Sequence, residues 1–140
     1  MAYKFPSDEW IKAFMDTLNG DQGKAYHKAA EKWEGDFIFV VESDETYDET
    51  TYFYVDLWHG KCREARLITD TDNLPNAEFQ YKGNFSNWIK LIEGKIDPIK
   101  GIMMRKFKLI GNKAKVMRAT KAAKELVAIT QKIETDFGKK

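Results

Sequence analysis

"GKIDPIKGIMMRKFKLIGNKAK", residues 94–115, holds most of the information about the fold. Asp97-Pro98 is a near-ideal helix entry, because proline at the first helical position loses no hydrogen bond. The short helix it opens carries Ile99, Ile102, Met103 and Met104. Phe107-Lys108-Leu109-Ile110 then reads as a strand ending at Gly111, and Asn112 caps a long terminal helix. That helix has one apolar stripe: Val116, Ala119, Ala123, Leu126, Val127, Thr130 and Ile133. After Asp97 the stretch contains only basic charges.

Working upstream, a Trp88-bearing helix with Ile89, Leu91 and Ile92 is capped by Asn84 or Ser86 and ends at Gly94. Four strands precede it. Asp36–Glu42 contains the apolar run Phe37-Ile38-Phe39-Val40-Val41, and 50–58 alternates, with Phe53, Val55 and Leu57 on one face. His59-Gly60-Lys61 turns into a third strand at 62–69, and 77–82 is a short fourth. Ser7-Asp8-Glu9 starts an N-terminal helix with Trp10, Ile11, Phe14, Met15 and Leu18 on one side. A second, weaker helix follows from Asp21 through Trp33 and closes at Gly35. Consecutive strands with segregated helices predict an α+β domain, its five-stranded sheet mostly antiparallel and covered on one face. No repeat or linker divides the chain, so residues 1–140 are expected to form one domain.

The 140 residues suffice to bury a core without disulfides, and Cys62 is the only cysteine. No run approaches membrane-span length, the N-terminus lacks a signal-peptide stretch, and Gly138-Lys139-Lys140 is not a peroxisomal address. A soluble, cytoplasmic protein is expected. Its net charge of +1 conceals polarity. Residues 1–60 hold 5 Lys/Arg and 13 Asp/Glu, whereas residues 61–140 hold 18 and 9. Residues 100–124 hold nine basic residues and no acid, a pattern that suits an anionic surface, although a solvated helix face would look the same.

Catalytic and metal signatures are weak. Asn19-Gly20-Asp21-Gln22-Gly23-Lys24 has its glycines too close for a phosphate loop, and Asp136-Phe137-Gly138 lacks every other kinase feature. His59, Cys62 and the distant His27 do not compose a metal site, and a His59/Cys62 nucleophile pair has nothing to activate it. The acids of 42–49 lack calcium-loop spacing and are expected only to keep a hairpin tip solvated. Phe107 is the sole aromatic within the basic segment, so nucleic acid is not an expected partner.

The ordered set Trp88, Gly94-Lys95-Ile96-Asp97-Pro98, Ile102-Met103-Met104, Lys106-Phe107-Lys108-Leu109 and Gly111-Asn112 resembles the sterol carrier protein type two family over about residues 84–127. One departure is Arg105, where members often have a small residue, commonly Gly. The resemblance implies a five-stranded sheet layered with helices around an apolar tunnel. It also implies uptake of fatty acid, acyl-CoA, sterol or phospholipid without covalent chemistry, and no cofactor. From the residues, Phe53, Val55 and Leu57 on the sheet face Ile99, Ile102 and Met103, and Trp88, Ile92, Phe107 and Leu109 complete the candidate lining. Methionine suits varied guests because its unbranched thioether repacks. Ten buried methylenes offer about 8 kcal/mol before ordering costs. Lys100, Arg105, Lys106, Lys108, Lys113, Lys115 and Arg118 are the candidate docking ring for an anionic membrane. The alternative is an interaction or dimerisation module using the same groove, with an accessory domain of acyl-CoA metabolism less favoured.

Overall fold

The chain begins with β1 (Tyr3–Lys4), α1 (Asp8–Asn19), a 3-10 turn at Asp21–Gly23 and α2 (Lys24–Ala29). Strands β2 (Glu34–Glu42), β3 (Thr51–Trp58), β4 (Lys61–Leu67) and β5 (Phe79–Asn84) follow. The rest is α3 (Phe85–Ile92), α4 (Pro98–Met103), β6 (Lys108–Ile110), α5 (Lys113–Met117), α6 (Thr120–Thr130) and β7 (Thr135–Asp136). This is a computed structural model that describes residues 2–138, so the Lys139-Lys140 end read above lies outside the described residues.

The five-stranded sheet has the order β4-β3-β2-β5-β6. Only β2–β5 is parallel; β2–β3, β3–β4 and β5–β6 are antiparallel, as the succession of strands predicts. The central position of β2 explains why its apolar run does not alternate. Phe37, Phe39 and Val41 face the helices, while Ile38 and Val40 turn to the other side. There they pack with Ile68, beneath Tyr52, Tyr54 and Ala77, so the second face is not bare as expected but carries a small apolar cluster of its own. A strand apolar on both faces must be covered on both, and the loop after β4 supplies the second cover.

Helix starts follow local chemistry. The Ser7 hydroxyl accepts from Trp10 N, the Asn84 amide oxygen from Asn87 N, and the Asp97 carboxylate from Ile99 and Lys100 N. Each replaces a partner that the first turn of a helix lacks. Two expectations fail at the helix level. Trp33 is outside α2, its indole donating to Gly35 O and its own carbonyl accepting from His59 N, so the chain has already turned into β2. The long terminal helix is two helices broken at Arg118-Ala119, where the Thr120 hydroxyl donates back to Met117 O. No glycine or proline marks that break, and periodicity alone reads through it.

The parallel ribbon β1–β7 was not visible in the sequence. Tyr3 pairs with Thr135 and Lys4 with Asp136, which seats Phe5 inside the core against Trp10, ring centroids 4.7 Å apart and edge-on.

Candidate functional site

Between sheet and helices lies an apolar hollow of about 90 Å³. Its floor is Phe37 and Phe39 of β2, Phe53 of β3 and Tyr81 of β5. Trp88, Leu91 and Ile92 of α3 and Pro98, Ile99 and Ile102 of α4 form one wall. Val116 of α5 with Ala123, Leu126, Val127 and Thr130 of α6 forms another, and Phe5, Trp10 and Phe14 close the end. A second hollow of about 50 Å³ adjoins it toward Tyr26, Trp33 and Leu57, and the two share Phe37, Val116, Ala123 and Leu126 as walls.

Polar atoms around the hollow are already bonded within the protein. The Tyr81 hydroxyl donates to Pro98 O at 2.8 Å and the Thr130 hydroxyl to Val127 O at 2.5 Å. The Trp88 indole N–H donates to Val40 O at 2.8 Å, and that of Trp10 to Thr135 Oγ1 at 3.0 Å. Burial, with the nearby Asp97 charge, raises the pKa of the Tyr81 hydroxyl, so it stays neutral. Among the described residues, every buried side-chain nitrogen and oxygen already has a hydrogen-bond partner. The hollow's lining is therefore almost wholly hydrocarbon.

Of the candidate lining residues, Phe53, Trp88, Ile92, Ile99 and Ile102 border the larger hollow, and Leu57 borders the smaller. Val55 borders neither and is fully buried in the core. Phe107 lies one layer back, stacked on Tyr81 at 4.7 Å and edge-on to Trp88 at 5.4 Å, with Leu109 buried alongside in the same core. Its ring occupies the space above Gly83, where an added Cβ would come within 2.4 Å of it, so only glycine permits that packing. Met103 does not take the place expected of it: α4 turns Ile99 and Ile102 inward at a spacing of three and leaves Met103 outside, 70% exposed. Met104 is 64% exposed beside it.

The docking set also needs one correction. Lys115 is not available to a membrane, because its ammonium donates to Glu34 O at 2.5 Å and to Glu78 Oε2 at 2.8 Å. It lies 5.0 Å from the Trp33 ring centroid and pins α5 to the sheet. Lys100, Arg105, Lys106, Lys108, Lys113 and Arg118 are exposed and, among the described residues, form no ion pair.

The N-terminal contribution to the hollow was missed. Trp10 and Phe14 on the α1 stripe and the odd-numbered phenylalanines of β2 carried a usable signal; Phe5, outside any periodic element, did not. The hairpin tip does more than stay solvated. Asp44 accepts from Ser86 N at 2.9 Å and Ser86 Oγ at 2.8 Å with one oxygen, and from the Thr46 amide and hydroxyl with the other. Desolvation opposes its ionisation, but these four bonds outweigh it and lower the pKa to about 2. Tyr47 stacks on Phe85 at 4.6 Å, and together they fasten the tip to the start of α3.

His59 and Cys62 have separate structural roles. His59 Nε2 meets Glu34 Oε2 at 2.7 Å at the surface. Cys62 is buried, its thiol donates to Glu64 O, and burial is the main cause pushing its pKa up to about 12. A thiol held protonated in this way is a poor nucleophile. Among the described residues no cluster of three or more His, Cys, Asp or Glu is placed to hold a metal, and no helix is long and apolar enough to cross a membrane.

Helices laid over one face of a mixed sheet, around a hydrocarbon-lined hollow, make an α+β domain with an apolar interior site. The chain belongs to the SCP-2 sterol transfer family, whose model matches residues 14–124. It is similar to a conserved hypothetical protein of Thermus thermophilus, described as possibly a sterol carrier protein, with 28% identity, a TM-score of 0.81, and 93% of this chain and 90% of that one covered. A crystal structure of sterol carrier protein 2 is 27% identical, with a TM-score of 0.78 and coverage of 91% and 97%. Sterol carrier protein 2 from Yarrowia lipolytica, in its apo form, shares the fold at 22% identity and a TM-score of 0.56, covering 86% and 88%. No curated protein sequence matches the chain.

Proposed function

We propose that this chain binds a long-chain lipid by its hydrocarbon portion, in the hollow between sheet and helices, and carries or presents it without covalent chemistry. The observation behind this reading is an interior lined almost wholly by carbon whose few polar atoms are already hydrogen-bonded inside the protein. Membership of a lipid-transfer family supports it.

The hollow also sets how binding must proceed. Its 90 Å³ falls below the roughly 150 Å³ of a dry cavity that takes one benzene, so a long chain enters only if the walls part. The seam between α4 and α6 is where they are weakest, since Ile102, Leu126 and Val127 are only half-buried there. A charged headgroup finds no partner inside and stays at the seam, where the exposed basic residues favour an anionic one. Fatty acid, acyl-CoA and phospholipid meet both conditions. The exposed basic surface also suits transient contact with an anionic membrane, each Lys or Arg near such a surface contributing about 1 kcal/mol at low salt.

Mass spectrometry of a solvent extract from the purified protein tests the reading. A bound long-chain lipid is expected. In the same preparation Ile102→Trp, which fills the hollow at the seam, should abolish displacement of a fluorescent fatty acid while leaving the fold's circular dichroism unchanged. An empty extract together with undiminished displacement by Ile102→Trp would refute it.

A further inference from the structure

The methionine pair that fails to line the hollow comprises the two most exposed large apolar side chains of the described residues. Met103 and Met104 end α4 side by side, 70% and 64% exposed. They have no cover, although buried apolar groups elsewhere in the chain are packed to a few per cent exposure. Lys100 precedes them by one turn, and Arg105, Lys106 and Lys108 follow; all four are exposed and form no ion pair among the described residues. The acid of the helix, Asp97, is at its opposite end, occupied by the N–H groups of Ile99 and Lys100. The chain turns back sharply here: Arg105 has φ 62°, and the N–H groups of Lys106 and Phe107 both reach Gly101 O, so the pair sits at a tight corner. Ile102, the preceding residue, lines the hollow at the α4–α6 seam.

From this arrangement we infer that the α4 corner is the membrane anchor of the protein, with Met103 and Met104 inserting into an anionic bilayer while Lys100, Arg105, Lys106 and Lys108 hold the headgroups. The inference deepens the carrier reading by naming the docking point, and it does not require that a lipid occupy the hollow. Two flexible thioethers adapt to a disordered acyl region without needing a shaped partner, and unpaired cations complement an anionic surface. Insertion at this corner sets Ile102 and the seam against the bilayer, so a hydrocarbon chain could pass between lipid and protein without crossing water.

The test uses the full chain with vesicles of phosphatidylcholine containing about one-third phosphatidylserine. An environment-sensitive fluorophore on Met104→Cys should shift to the blue with these vesicles, whereas the same label on Asp72→Cys, in a loop remote in sequence, should not. Cys62 is buried and does not compete for the label. Met103→Ser/Met104→Ser should weaken vesicle binding about tenfold or more, from the lost apolar burial, and leave fatty-acid displacement in vesicle-free solution unchanged. Raising salt should release the wild type. A blue shift at Asp72→Cys but not at Met104→Cys, or wild-type vesicle binding by the double variant, overturns the inference. So does a shift produced without vesicles by raising protein concentration, or by a duplex oligonucleotide alone, since the occupant is then another copy or a nucleic acid. The two readings fail separately: a chain that binds fatty acid but keeps Met104 in water loses the anchor, and one that inserts Met104 but takes no fatty acid loses the carrier.

Discussion

Arg105 occupies left-handed backbone at the end of α4, φ 62°, a conformation costing a residue with a Cβ about 1–2 kcal/mol. Glycine adopts it freely but gives up about 0.5–1 kcal/mol through the extra freedom of its unfolded chain. Arg105→Gly should therefore raise stability by up to about 1 kcal/mol, read as a higher denaturant midpoint at unchanged slope. A lower midpoint would mean that the arginine side chain contributes more than its backbone costs. Only the resemblance pointed to a small residue at this position, and the left-handed φ of Arg105 is the property of this chain that would favour glycine there. Capping residues were more legible. Ser7, Asn84, Asp97 and Asn112 each accept the N–H that their position predicts, because a cap is a local matter between a side chain and the next turn. The direction of Met103 was not local in that sense: it depends on which side of a six-residue helix meets the sheet.

Among elements, the tip of the β2–β3 hairpin is fastened to α3 by the Asp44 carboxylate and by Tyr47 stacked on Phe85. Asp44 is held ionised with a folded pKa of about 2, below the ordinary 3.8. A lowered folded pKa contributes stability that is complete above the unfolded value and disappears as pH falls through the folded one. The stability difference between wild type and Asp44→Ala should accordingly be constant above about pH 5 and shrink steadily from pH 3.8 toward 2. Denaturation curves at several pH values give that difference directly, and one independent of pH would show that the tip is held by Tyr47 on Phe85 instead. Strand and helix identities followed well from two- and three-to-four-residue periodicities. The break between α5 and α6 and the early end of α2 did not, since both arise from side chains bonding to backbone at places with ordinary composition.

For the molecule as a whole, the α+β class and five strands could be read from the succession of elements, but the closure of the interior could not. Phe5 reaches the hollow because β1 pairs with β7 across almost the entire chain, a contact for which neither two-residue strand carries a pattern. Periodicity placed Leu126 and Val127 on the apolar stripe of α6 but did not show that they would be only half-buried.

Two adjoining apolar hollows leave space that the packed side chains do not fill. Hydrostatic compression favours whichever state has the smaller total volume, and unfolding removes such voids. This protein should therefore yield to pressure readily when empty. With a fatty acid filling the space, the slope of unfolding free energy against pressure should become shallower, a change that mere tightening by ligand would not produce. Tryptophan fluorescence under compression measures it, and parallel slopes with and without saturating fatty acid would mean that the guest lies elsewhere.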